Sequence, residues 1–174
     1  MRAMAVLAMV ATALSVGMSF AHVLEMPVKL LYEPRLYAAV NSTLYYGFGT
    51  AGAAIVVASV LLTTAWAGMA WRRRLAGWRW GLAAAALMWI GLGTWRAIVQ
   101  PVNAEVYAVW IQHVDPQQAT AATWQSPPPA VVETWRRLNR RWEYGHATVF
   151  AINLLGFVAL ALAATAGRRS PPAM

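Results

Sequence analysis

Apolar residues gather along the chain into four long blocks, each bounded by polar or basic residues. Residues 3–24, "AMAVLAMVATALSVGMSFAHVL", form the first block, and residues about 44–70, 80–99 and 147–166 form the other three. A helix crosses the hydrocarbon core of a bilayer with roughly 20 apolar residues. Each block reaches that length and carries no charge in its middle. The pattern predicts an all-α integral membrane four-helix bundle, one domain over residues 1–166. The polar stretch 131–146 leads straight into the fourth block and reads as a helical extension of it. The tail "GRRSPPAM" (167–174) is expected to be disordered.

The connections are unequal. The loop "RRRLAGWRW" (72–80) is short, so the second and third helices should be antiparallel neighbours. The loop from about 101 to 130 is long and contains "SPPP" (126–129), and loops of this length are more often functional than short ones. Within it "NAEVYAVWIQ" (103–112) is a candidate interfacial helix. The first block has a second reading. Arg2, an apolar run and "SFA" before His22 resemble a secretory signal with a small-x-small cleavage site. The run is about 19 residues, longer than the roughly 7–15 of a signal core, so the helix is expected to be retained.

Composition sharpens the membrane reading. The chain is 60% hydrophobic and 11% charged, where a soluble domain carries roughly a quarter charged residues. It has no cysteine, which excludes disulfides, iron–sulfur clusters and thiol catalysis. The net charge of +8 is a matter of topology and does not mark a nucleic-acid partner. With both termini on one side, that side holds Arg2, Arg72, Arg73, Arg74, Arg79, Arg168 and Arg169 with no acid. The opposite side holds seven bases and all six acids. The positive-inside rule makes the unopposed side cytoplasmic, which predicts a plasma (inner) membrane protein with both termini inside. Trp66, Trp71, Trp78 and Trp80 at one interface, and Tyr45 and Tyr46 at the other, fit aromatic belts.

Polar residues inside a membrane face the bundle interior, because lipid cannot solvate them. At about 100° per residue, Thr12, Ser15, Ser19, His22 and Glu25 form a stripe on the first helix. Arg136, Asn139, Arg140, Glu143, His146 and Asn153 form a broad one on the fourth. Arg96, Gln100 and Asn103 share a face of the third if it persists past Pro101; a proline there is otherwise a kink site. Asn41 and Tyr45 mark the outer end of the second. All four are polar chiefly at the extracytoplasmic end, so a pocket is expected there. His22-x-x-Glu25 and Glu143-x-x-His146 each place both side chains on one face, as di-iron and di-manganese bundles do. His22, Glu25, Glu143 and His146 are therefore a candidate ligand set for iron, manganese, copper or zinc, although helices two and three add no acid. Haem b between His22 and His146 is a weaker alternative. The plainer readings are an interfacial hydrogen-bonded His22, a Glu143 that pairs only with Arg96 or Arg140, and headgroup-facing Arg136, Arg137 and Arg141. His113 in the long loop reads as incidental. The polar stripes do not continue across the membrane, which argues against transport.

"LNRRWEYGHA" (138–147), preceded by "PVNAEVYAVW" (101–110) and by the early His22/Glu25 pair, resembles the anthrone oxygenase-like family of small four-helix membrane proteins. The likeness is sharp at Asn103, Trp110, Arg140, Trp142, Glu143 and His146. It implies a four-helix bundle and, from the fungal members, oxidation of an activated phenolic ring by dioxygen to a quinone. Two mechanisms suit these residues. In one, the four ligands hold a redox metal. In the other, His146, oriented by Glu143, acts as general base, Arg140 or Arg96 stabilises negative charge on the substrate, and Asn103, Trp142 and Tyr45 line the substrate site. The function expected is thus a membrane oxidoreductase of oxygenase type acting on a lipophilic phenolic or quinol-like molecule. The alternative is a non-catalytic subunit or assembly partner of a larger membrane complex.

Overall fold

The computed structural model describes residues 1–43, 47–105, 125 and 127–166. The expectations placed on Tyr45, Tyr46, Trp110, His113, the 106–112 part of the interfacial helix, the tail 167–174 and the side chain of Asn41 lie outside them. Four helices are long and apolar enough to cross a membrane: Arg2–Lys29, Phe48–Arg72, Trp78–Glu105 and Pro129–Thr165. These first to fourth spans pack as a bundle, each against its neighbours in sequence, with the fourth closing on the first. The protein is an all-α multi-pass membrane protein. Its outward side chains, among them Leu7, Leu14, Leu61, Ile90 and Leu155, are large and apolar, as a lipid-facing surface requires.

At the end that carries the termini, Ala8, Trp66, Ala70, Ala84, Ala159, Leu160 and Ala163 form a close-packed core. Small side chains let helix backbones approach there. The tightest approach is at Gly77, where a Cβ would overlap the Ala163 backbone. The turn that leads into Gly77 places Arg74 in the left-handed region, at φ 51°. Above this core, Thr12 and Thr63 hydroxyls meet at 3.2 Å across the first and second spans. Thr12 also donates to the Ala8 carbonyl, so this hydroxyl pair is satisfied within the bundle.

The helices extend past their apolar blocks. The first runs through Glu25 and Pro27 to Lys29. The fourth has 37 residues, about 55 Å at 1.5 Å per residue, against a hydrocarbon thickness of roughly 30 Å. Residues 131–146 are indeed its helical continuation. A short helix, Pro34–Thr43, follows the first span, and its buried Tyr37 packs edge-on against Trp135 of that continuation, ring centroids 5.5 Å apart.

Two π-helical turns interrupt the spans at the end away from the termini, Phe48–Gly52 in the second and Trp95–Val99 in the third. The second of these has a local cause. Proline lacks an N–H, and its ring clashes with the carbonyl four residues back in an α-helix. Ahead of Pro101 the chain widens by one residue, and the Gln100 N–H bonds to the Trp95 carbonyl. The helix therefore continues to Glu105 with its register shifted.

Candidate functional site

The first span brings Ser19 and His22 inward, and the fourth brings Trp142, His146, Val149 and Asn153. Together with the second and third spans they enclose a cavity of about 450 Å³, within the range of small-molecule sites. Its walls are largely apolar. The imidazoles of His22 and His146 stack at its polar end, ring centroids 4.5 Å apart and planes 27° from parallel. Trp142 lies against both, 4.2 Å from His146 and 5.2 Å from His22, and Phe48 lies 5.0 Å from His22.

The third span reaches this cavity through its register shift. Met88, Leu92 and Trp95 face inward at helical spacing, the π turn then takes a step of five, and Gln100 and Asn103 follow on the same wall. The Trp142 indole N–H donates to Asn103 Oδ1 at 2.7 Å. That bond fixes the amide, since its oxygen is the acceptor, and leaves the NH₂ group to donate. At the opposite end of the cavity Asn153 is 2% exposed. Its Oδ1 has no hydrogen-bond partner among the described residues. It sits where a side chain at Gly91 would overlap it. Two helical turns, about 10 Å, separate Asn153 from His146.

Above the imidazoles lies a second polar layer. Lys29 Nζ and Glu143 Oε1 form an ion pair at 2.9 Å, with both side chains essentially removed from solvent. The Lys29 ammonium is 4.5 Å from the Trp142 ring and 5.8 Å from that of Tyr37. Asn139 donates from Nδ2 to the Lys29 carbonyl at 3.4 Å. An intramembrane charge is tolerable when paired and packed in this way.

Of the expected site residues, His22, His146, Trp142 and Asn103 come together around one cavity. Four others do not join them. Glu25 is exposed, because the inward stripe of the first helix alternates steps of three and four through Ser15, Ser19 and His22, and its next members are Met26 and Lys29. Arg96 is exposed because the π turn passes it over. Arg140 is exposed because it lies about 120° round the helix from His146 at 100° per residue. Glu143 is buried, but its ion pair is with Lys29 and it does not line the cavity. The proposed ligand set His22, Glu25, Glu143 and His146 is therefore not assembled, and among the described residues no three His, Asp or Glu side chains gather to hold a metal ion. Nor do the imidazoles present a haem geometry, since their planes stack on each other instead of aiming nitrogens at a shared iron from opposite sides. Gln100 and Asn153 line the cavity and Lys29 pairs with Glu143 above it, and none of the three is among the expected site residues. Lys29 was legible as the seventh residue after His22, and Gln100 and Asn153 already lay on the polar faces. No family model, curated protein or solved structure matches the chain.

Proposed function

We propose that the protein is a membrane-embedded oxidoreductase of oxygenase type, acting on a lipophilic phenolic or quinol-like molecule bound in this cavity. The observation that carries the reading is the stacked imidazole pair at the polar end of an otherwise apolar cavity within the bundle. One imidazole, that of His146, takes a proton from a ring hydroxyl or from an activated ring methylene. The resulting anion is electron-rich and reacts with dioxygen. For a quinol, with no oxygen atom transferred, the balance is QH₂ + O₂ → Q + H₂O₂, and for a methylene it is R₂CH₂ + O₂ → R₂C=O + H₂O. One oxygen atom enters the ring and the other leaves as water with both ring hydrogens. Hydrogen-bond donors aimed at the developing oxyanion stabilise it. The amide groups of Asn103 and Gln100 suit that role, taking the place expected of Arg96 and Arg140. Asn153 Oδ1 offers an acceptor for a hydroxyl at the far end of the ring. The positions with the sharpest likeness to the anthrone oxygenase-like family that also line the cavity, Asn103, Trp142 and His146, support the same chemistry.

The test is oxygen uptake by purified protein in lipid nanodiscs, with an anthrone and a ubiquinol-type quinol as probes. Loss of a general base costs typically 10²–10⁴ in rate. His146→Ala is expected to lower uptake by at least a hundredfold while the variant remains monodisperse. Wild-type protein that consumes no oxygen with either probe, or a His146→Ala variant at full rate, overturns the proposal. One observation favours a second reading, a subunit that docks to an acidic partner. Arg136, Arg137, Arg140 and Arg141 are all exposed on the fourth helix, in the part that projects beyond the apolar block. Copurification of a stable larger assembly that survives His146→Ala but is lost when these arginines become glutamine supports that alternative.

A further inference from the structure

Along the bundle axis, described residues lie beyond the cavity in both directions. Toward the termini lie Met88, Val60 and the core built on Trp66. In the other direction lie Trp142, the Lys29–Glu143 ion pair and the Tyr37–Trp135 contact. The exposed residues of the lining all lie on one side. Gly49, Ala53 and Val57 line the cavity and are also exposed, Val57 to 49%. The three are spaced by four residues on one flank of the second span, covering about 12 Å of its length.

The flank faces the third span. Gly52 turns its other side to the first span, where a Cβ would meet Met18 Sδ at 3.4 Å. Val57 and Thr64 are seven residues apart and share a flank, and Thr64 accepts a hydrogen bond of 3.1 Å from the Trp89 indole of the third span. The π turns of the two spans pack on different partners, that of the second span on the first and that of the third span on the fourth. Leu92 and Trp95, half-buried cavity residues, form the opposing lip. The lip on the second span is made of glycine, alanine and valine, so that flank itself presents no bulky side chain.

We propose that the cavity is loaded sideways from the bilayer, through a portal between the second and third spans bounded by Gly49, Ala53 and Val57 on one side and Leu92 and Trp95 on the other. Its ligand is then a membrane-dissolved amphiphile. An oxygen-bearing ring lies against His22, His146 and Asn153, and a hydrocarbon chain passes out over Ala53 into the acyl region. The ring chemistry rests on the proposed function, whereas the route rests on the walls alone.

The chain has no cysteine, so Ser19→Cys places a single thiol on the cavity wall. In vesicles, the bilayer-soluble reagent N-cyclohexylmaleimide is expected to label it. A permanently cationic methanethiosulfonate added to both faces is expected to label it at least tenfold more slowly. Ala53→Trp in the same background should slow the maleimide at least tenfold, and Gly49→Leu should do so if Ala53→Trp fails to fold. Leu155→Trp, on the lipid-facing surface of the fourth span, should leave the rate unchanged. An undiminished maleimide rate in a folded portal variant, or equal labelling by the cationic reagent, overturns the portal. Labelling involves no turnover. A portal that gates the maleimide in a protein that consumes no oxygen leaves the route standing and removes the oxygenase chemistry.

Discussion

Lys29 and Glu143 decide how the site end holds together. Each is a full charge taken out of water, and their attraction has to offset that desolvation. Removing one partner of such a pair leaves the other buried and alone, at about 3–5 kcal/mol. Lys29→Met and Glu143→Leu are each expected to destabilise the protein by about that amount in reversible denaturant unfolding in detergent. Replacing both with apolar residues of similar volume is often neutral or stabilising. The double variant should therefore recover at least about 2 kcal/mol relative to the poorer single variant. Strict additivity of the two single effects would mean that the pair is not coupled. The same residues show what the sequence made legible. His22, Glu143, His146 and Asn153 could be placed inward because polar side chains repeat at helical spacing within apolar blocks. Lys29 lies past Glu25 and Pro27, outside the apolar window, so hydropathy gives no reason to place it inward although it continues the same stripe. Glu25 had the right spacing from His22 for a motif but not for the buried face.

At the scale of the helices, hydropathy found the four spans because hydrocarbon selects apolar residues over about 20 positions. It measured the part inside the bilayer and not the helix, which is why the first runs on to Lys29, the third runs on past Pro101 to Glu105, and the fourth begins back at Pro129. The π turn at Trp95–Val99 was not legible from periodicity, which assumes a constant step; Pro101 was its one cue. Its functional effect is a rotation. Pro101→Ala removes the steric cause of the turn. Relaxed to α-helix at unchanged length, the five-residue step from Trp95 to Gln100 spans about 500° and carries Gln100 and Asn103 off the cavity wall. Deleting Ala97 in the same background makes that step four residues, about 400°, and returns both to the wall. The expected result is oxygen uptake at least tenfold down in Pro101→Ala and largely recovered in the double variant, with both variants folded. Equal uptake in the two variants would show that the register shift has no part in positioning the site.

The whole molecule is polarised. One end is a close-packed alanine core with a basic turn, and the other holds the histidines, the ion pair and the projecting arginine-bearing helix. The positive-inside rule weighs basic residues in short loops near span ends. Arg73 and Arg74 sit in such a loop, with Arg72 ending the helix before it and Arg79 in the first turn of the next. The site end also carries arginines, but acids accompany them and the connection there is long, so its weight is smaller. The expected orientation therefore has the termini and the basic turn in the cytoplasm and the polar end of the cavity on the extracytoplasmic side. Arg73→Cys and Glu133→Cys, both at exposed positions, test this in an otherwise thiol-free chain. A membrane-impermeant maleimide applied to intact spheroplasts should label Glu133→Cys and should reach Arg73→Cys only after permeabilisation. Reversed labelling would mean that the paired charges of the site end, and not the basic turn, set the orientation.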